Sequence, residues 1–188
     1  MAMVKYVTTA MLLMWVGLAA VSCGGSNEAA KAPSDVKAER IDGVAETIAR
    51  FKKKDPSIES FFAKSYGYVV MPSIGEGGFI VGGALGEGDA FRQGAYVGMV
   101  TLHELSVGYQ LGGQNYAEIV FFETEKRFAD LTSGTFEFDV EFLAVAVEAG
   151  AAKETEFRQG VASFVLPNKG LMASAAIGGT RLSFYSAR

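Results

Sequence analysis

The chain has 188 residues, 17 Lys plus Arg against 21 Asp plus Glu, and a formal charge of −4. That is one domain's worth of chain, and its mild acidity, with no long basic helix face, argues against nucleic acid as the partner. About half of the residues are hydrophobic (49%), enough to bury a core, and a single cysteine excludes an internal disulfide framework.

The first 22 residues have the layout of a secretory signal. Lys5 gives a short positive region, Met11 to Val21 an apolar stretch, and Ser22 a small residue before Cys23. Eleven apolar residues fall short of the roughly 20 that a helix needs to cross a bilayer. The segment Ala20 to Cys23 resembles a lipobox, which implies acylation (palmitate-type chains) on the Cys23 thiol and cleavage just before it. An ordinary cleaved signal or a plain membrane anchor is the alternative. Gly24 stands where lipoproteins kept at the inner membrane often carry Asp, so the resemblance favours the outer membrane. Loss of residues 1–22 removes one cation, Lys5, and leaves 166 residues with a net charge near −5.

Residues 23–34 form a lipidated tether of small and polar residues, and a domain over 35–188 follows. Ser34 or Asp35 caps a helix in which Ile41, Val44, Ala45, Ile48 and Phe51 share one face, with Lys52, Lys53 and Lys54 complementing the dipole of its last turn. Asp55-Pro56 opens a second helix, with Ile58, Phe61 and Phe62 along its apolar edge, before Gly67 stops it. The triple lysine with Phe61 and Phe62 is a candidate lipid-binding group, the cations at headgroup level and the rings beneath. The competing reading packs these rings on a sheet and leaves the lysines solvated; Glu39, Asp42 and Glu46 weaken attraction to an anionic surface.

From Gly67 onward the period changes to that of strands. Nine runs are expected, at 68–71, 78–85, 95–102, 105–111, 116–122, 136–147, 161–166, 171–177 and 181–185, broken by Gly, Asn or Ser, with one short helix over 125–131. In Phe136 to Phe142, Phe136, Phe138, Val140 and Phe142 alternate with Glu137, Asp139 and Glu141, as on a sheet with one wet face. Many of the 23 glycines lie within or beside strands, where a sheet bends sharply or bulges. The fold class is therefore α+β: a strongly coiled antiparallel sheet of about eight or nine strands, barrel-like in the limit, with two N-terminal helices.

The chemistry-bearing motifs fail one after another. Neither Gly-x-Gly-x-x-Gly nor a Gly-Lys-Ser/Thr loop occurs, which leaves no nucleotide cofactor cradle. His103, the only histidine, precedes Glu104 as in a His-Glu-x-x-His zinc site, yet Val107 occupies the second ligand's place, and His103 is read as a turn residue. No Gly-x-Ser-x-Gly elbow is present, and Glu137, Asp139 and Glu141 alternate with apolar residues as a solvated face rather than as a glycosidase pair. No catalytic residue, metal ligand or cofactor site is assigned.

Four blocks carry a family resemblance: Phe62 to Pro72, Gly75 to Gly88, Ser106 to Gln114 leading into Ile119 to Phe122, and Val165 to Ala173 with Gly178-Gly179. In this order they resemble the SYLF, or Ysc84, family over about residues 41–185. The resemblance implies a lipid-binding domain without a catalytic motif. Its eukaryotic members bind phosphoinositide membranes and some fungal members actin, specificities that do not transfer to an exported bacterial lipoprotein. The expected partner is membrane lipid or another amphiphile, in a pocket inside the sheet or at its helix-covered end. The alternative is an adaptor lipoprotein that binds an envelope protein and no free lipid.

Overall fold

The computed structural model describes residues 33–139 and 144–187. The expected signal segment, Cys23, the tether up to Ala32, and Val140, Glu141 and Phe142 of the alternating run lie outside the described residues.

Helix α1 (Pro33–Lys54) ends in Lys52, Lys53 and Lys54. Asp55 then caps a 3-10 turn (Pro56–Ile58) by accepting from the Ser57 amide, and α2 (Glu59–Lys64) follows directly. The strands are β1 (Gly67–Gly78), β2 (Val81–Arg92), β3 (Ala95–Phe122), β4 (Thr135–Asp139), β5 (Ala144–Ala146) and β6 (Val161–Ser186), with α3 (Glu125–Thr132) before β4 and α4 (Ala151–Glu154) before β6. Thr124 caps α3 through the Arg127 amide. The fold is α+β, dominated by an antiparallel sheet.

The registers reveal how this sheet is built. β1 pairs antiparallel with β2, from Gly67↔Arg92 to Gly78↔Gly82. On its other edge β1 pairs antiparallel with the second half of β3, from Gly67↔Phe122 to Gly78↔Gly112. β2 pairs antiparallel with the first half of β3, from Arg92↔Ala95 to Val81↔Val107. A strand antiparallel to two mutually antiparallel neighbours must reverse, so β3 doubles back between Val107 and Gly112. β6 follows β3 along nearly its whole length, from Gly98↔Ser186 to Phe122↔Val161, and therefore reverses with it. Three bends are nested: Phe79-Ile80 within β3's, and β3's within β6's. We call this end of the sheet the crease. At the other end Gln93 and Gly94, with φ of 51° and 82°, form the tight turn from β2 to β3 that needs left-handed backbone.

Three expected strands thus merge into β3 and three into β6, and the expected run 78–85 is split at Phe79-Ile80. His103 lies in the middle of β3, exposed and paired with Leu85 and Arg181, rather than in a turn. The sheet does not close into a barrel. β4 lies on one half of β6 and β5 on the other, β5 running parallel to it, and no pairing joins these two end strands among the described residues. Short α4 lies among residues that carry no helical period.

Two cores result. The concave face buries Val69, Met71, Ile74, Val100, Leu102, Val120, Phe122 and Leu182, with Phe128 and Leu131 of α3. Residues of both halves of β3 and of β6 meet in this one cluster, as a tightly coiled sheet requires. A register shift at Pro72-Ser73 lets Met71 and Ile74 both face inward despite their spacing of three. On the convex face Val44, Phe51, Ile58 and Phe61 from the helices cover Val70, Ile119, Phe121 and Phe164.

Candidate functional site

α1 lies over the convex face, and beside it opens a cleft of about 690 Å³. Leu85 and Glu87 of β2 and Met99, Thr101 and His103 of β3 form its floor, while Gly43 of α1 and the Pro72-Ser73 bulge form its walls. This is within the range of roughly 300–1,000 Å³ typical of small-molecule sites. The Thr101 hydroxyl is buried and has no hydrogen-bond partner among the described residues. A buried hydroxyl without a partner costs about 1–3 kcal/mol. Glu87 and buried Asp89 line the same cleft, adding polar groups to its apolar floor.

The residues expected to meet lipid separate into two groups. Phe61 is only 4% exposed, its ring 4.8 Å from Phe164, 5.0 Å from Phe157 and 5.6 Å from Phe121. It is a core residue. Phe62 is half-buried, edge-on to Tyr68 and Phe121. Lys52 sits 4.8 Å above the Phe62 ring and 2.7 Å from Glu59, whereas Lys53 and Lys54 are exposed. The structure therefore brings Lys52 and Phe62 together and gives Phe61 to the packing of α2 on the sheet. Glu137 is exposed and pairs with Arg181 at 2.7 Å.

Sequence reading missed a polar cluster on the concave face near the crease. Glu118 is fully buried and accepts from the Ser163 hydroxyl. Desolvation pushes its carboxyl up to about 7, opposed by the Ser163 bond and assisted by the charge of Glu104. Glu104 is itself raised by burial and by Glu76, while Thr180 acts in the opposite direction. Glu76 accepts from Gln114 at 2.6 Å. Tyr116, desolvated among these three carboxyls, is held far above the ordinary phenol range. No group of three metal-ligating side chains occurs among the described residues. The signal for this cluster was alternation: Glu104, Tyr116 and Glu118 share the face of Leu102, Val120 and Phe122, and the reading of β3 as three separate strands hid it.

Compared with known proteins, the chain matches no family model, and no curated protein matches it.

Proposed function

We propose that the domain binds a lipid or other amphiphile in the cleft between α1 and the convex face of β2 and β3. The observation that carries this reading is the cleft itself: Leu85, Met99 and Pro72 offer apolar contact, and Glu87 and His103 offer polar groups at its rim. Amphiphile sites combine these two features, an apolar trough for a chain and few polar groups to orient a head. The role is binding rather than catalysis: the sole histidine, His103, is an exposed strand residue, and no nucleophile elbow accompanies it.

In the same reading the chain is an exported lipoprotein of the SYLF type, held at the envelope, in the outer membrane, through acyl chains on Cys23. Two or three such chains anchor firmly at roughly 0.8 kcal/mol per buried methylene. Lys53 and Lys54, exposed at the end of α1, supply any contribution from that helix to headgroup contact, since Phe61 is enclosed.

The test is displacement of a fluorescent lysophosphatidylcholine from the full chain, with wild type compared to Met99→Trp, which fills the floor of the cleft. Wild type is expected to bind and Met99→Trp to bind about tenfold more weakly, the factor that 1.4 kcal/mol of lost contact produces. A wild type that binds neither this probe nor a neutral monoacylglycerol sinks the amphiphile reading and leaves an adaptor that binds an envelope protein.

A further inference from the structure

The nested bends at the crease share a property that the cleft does not use. Residues 77–86, 105–113 and 170–179 contain no Asp, Glu, Lys, Arg or His. They are paired with one another, Gly78 with Gly112 and that with Met172, Val81 with Val107 and that with Ile177, so they form one continuous end of the molecule. Among the side chains described there, large apolar ones are exposed: Phe79 is 68% exposed, Ile80 58%, Val81 59%, Leu105 65% and Val107 58%. Charged and polar groups resume together just behind it. The registers place Glu76, Glu104, Gln114 and Thr180 at one height, with Lys169 and Arg181 one residue further from the crease, as a collar around the apolar end.

We propose that this end is a membrane-docking wedge, whose partner is the hydrocarbon edge of a phospholipid bilayer. Three observations support a bilayer. Phe79 and Ile80 at the bend and Val81 just after it are consecutive and all exposed, with Leu105 and Val107 exposed on the strand paired with β2, so the apolar patch spans two neighbouring strands without a charged residue. Next, backbone that enters hydrocarbon must carry its own hydrogen bonds, and on the facing edges of β3 and β6 the ladder continues through the bend, residue by residue. Finally, the three residues from Glu76 to Phe79 give the wedge a height of about 10 Å. That matches the depth of roughly 5–10 Å reached by interfacial elements and falls well short of a span of about 30 Å. A bilayer is also within reach: if Cys23 is acylated, the ten residues up to Pro33 extend at most about 35 Å.

The wedge goes beyond the cleft reading, because it meets a bilayer surface and stands or falls apart from single-amphiphile binding. The test places one tryptophan in the full chain, in a Trp15→Phe background, either at the tip (Phe79→Trp) or at the far end of β2 (Arg92→Trp), roughly 40 Å away along the strand. Each variant is mixed with phosphatidylcholine/phosphatidylglycerol vesicles that carry bromine at mid-acyl positions. The wedge predicts a blue shift and bromine quenching of the tip tryptophan, loss of its quenching by aqueous iodide, and none of these at position 92. Ile80→Asp, and separately Val107→Asp on another strand, are expected to reverse the tip signal while far-UV circular dichroism stays unchanged. Equal iodide quenching at both positions in the presence of vesicles overturns the proposal. So does a concentration-dependent blue shift without lipid, which would assign the surface to a second copy of the chain.

Discussion

Asp55 shows how one side chain joins three elements. Its carboxylate accepts from the Ser57 amide and hydroxyl and from the Ala152 amide at 2.8 Å, which ties the α1–α2 junction to α4. Burial alone would raise its pKa; the bonds from Ser57, Ala152 and Gly150 outweigh burial and hold it below the ordinary carboxylate value. A depressed acid stabilises the fold above its unfolded pKa, and that contribution is lost as pH falls through the folded one. Asp55→Ala is expected to cost about 2 kcal/mol in urea unfolding at neutral pH, with the deficit shrinking toward pH 3. Glu118 works with the opposite sign. Its folded pKa of about 7 lies above its ordinary value of 4.5, so the native state holds the extra proton. Its contribution is complete below pH 4.5 and declines as pH rises to about 7, beyond which it is flat. Glu118→Gln keeps an acceptor for Ser163 and is expected to remove this loss, raising the melting temperature at pH 8 while changing little at pH 4.5. A mutant melting no higher than wild type at pH 8 would show that Glu118 is ionised in the fold without penalty.

At the scale of elements, the doubled strands β3 and β6 determine the architecture. Their reversal needs close backbone approach, and a Cβ at Gly83 would lie 2.8 Å from the Glu104 carbonyl oxygen of the neighbouring strand. Further along β2, Gly88 leaves no room at all: its Cβ would overlap the Val70 carbonyl and the Met71 side chain. Gly88→Ala is therefore expected to destabilise the domain by about 1–3 kcal/mol, the usual cost of overpacking, measured as a lowered denaturant midpoint at unchanged slope. An unaffected midpoint would mean that β1 and β2 can separate freely there. The helices were legible because their determinants are local. Val44, Ile48 and Phe51 recur at helical spacing, Asp55-Pro56 sets a cap, and Thr124 begins α3 three residues before the amide it accepts from. The merged strands were not legible, because a glycine in a paired bend and a glycine in a loop read alike in one chain.

For the whole molecule, the domain over residues 35–188 is expected to fold independently of the acyl anchor proposed at Cys23. Cys23→Ala should release the protein from membranes washed at high salt, with its circular dichroism unchanged; quantitative retention in the membrane fraction would refute anchoring through Cys23. What the sequence by itself determined is whatever depends on near neighbours: the α+β composition, the presence of α1, α2 and α3 with the break at Asp55-Pro56, the strand period after Gly67, and the absence of nucleotide and zinc motifs. Tertiary structure alone decided that β3 and β6 double back, that the sheet stays open between β4 and β5, and that Phe61 belongs to the core while Phe79 and Ile80 do not. It also gathered Glu76, Glu104 and Glu118 on one face and opened the cleft over Thr101. Each of these depends on which strand lies beside which, a choice made by pairing and burial between residues tens of positions apart, which local pattern does not encode.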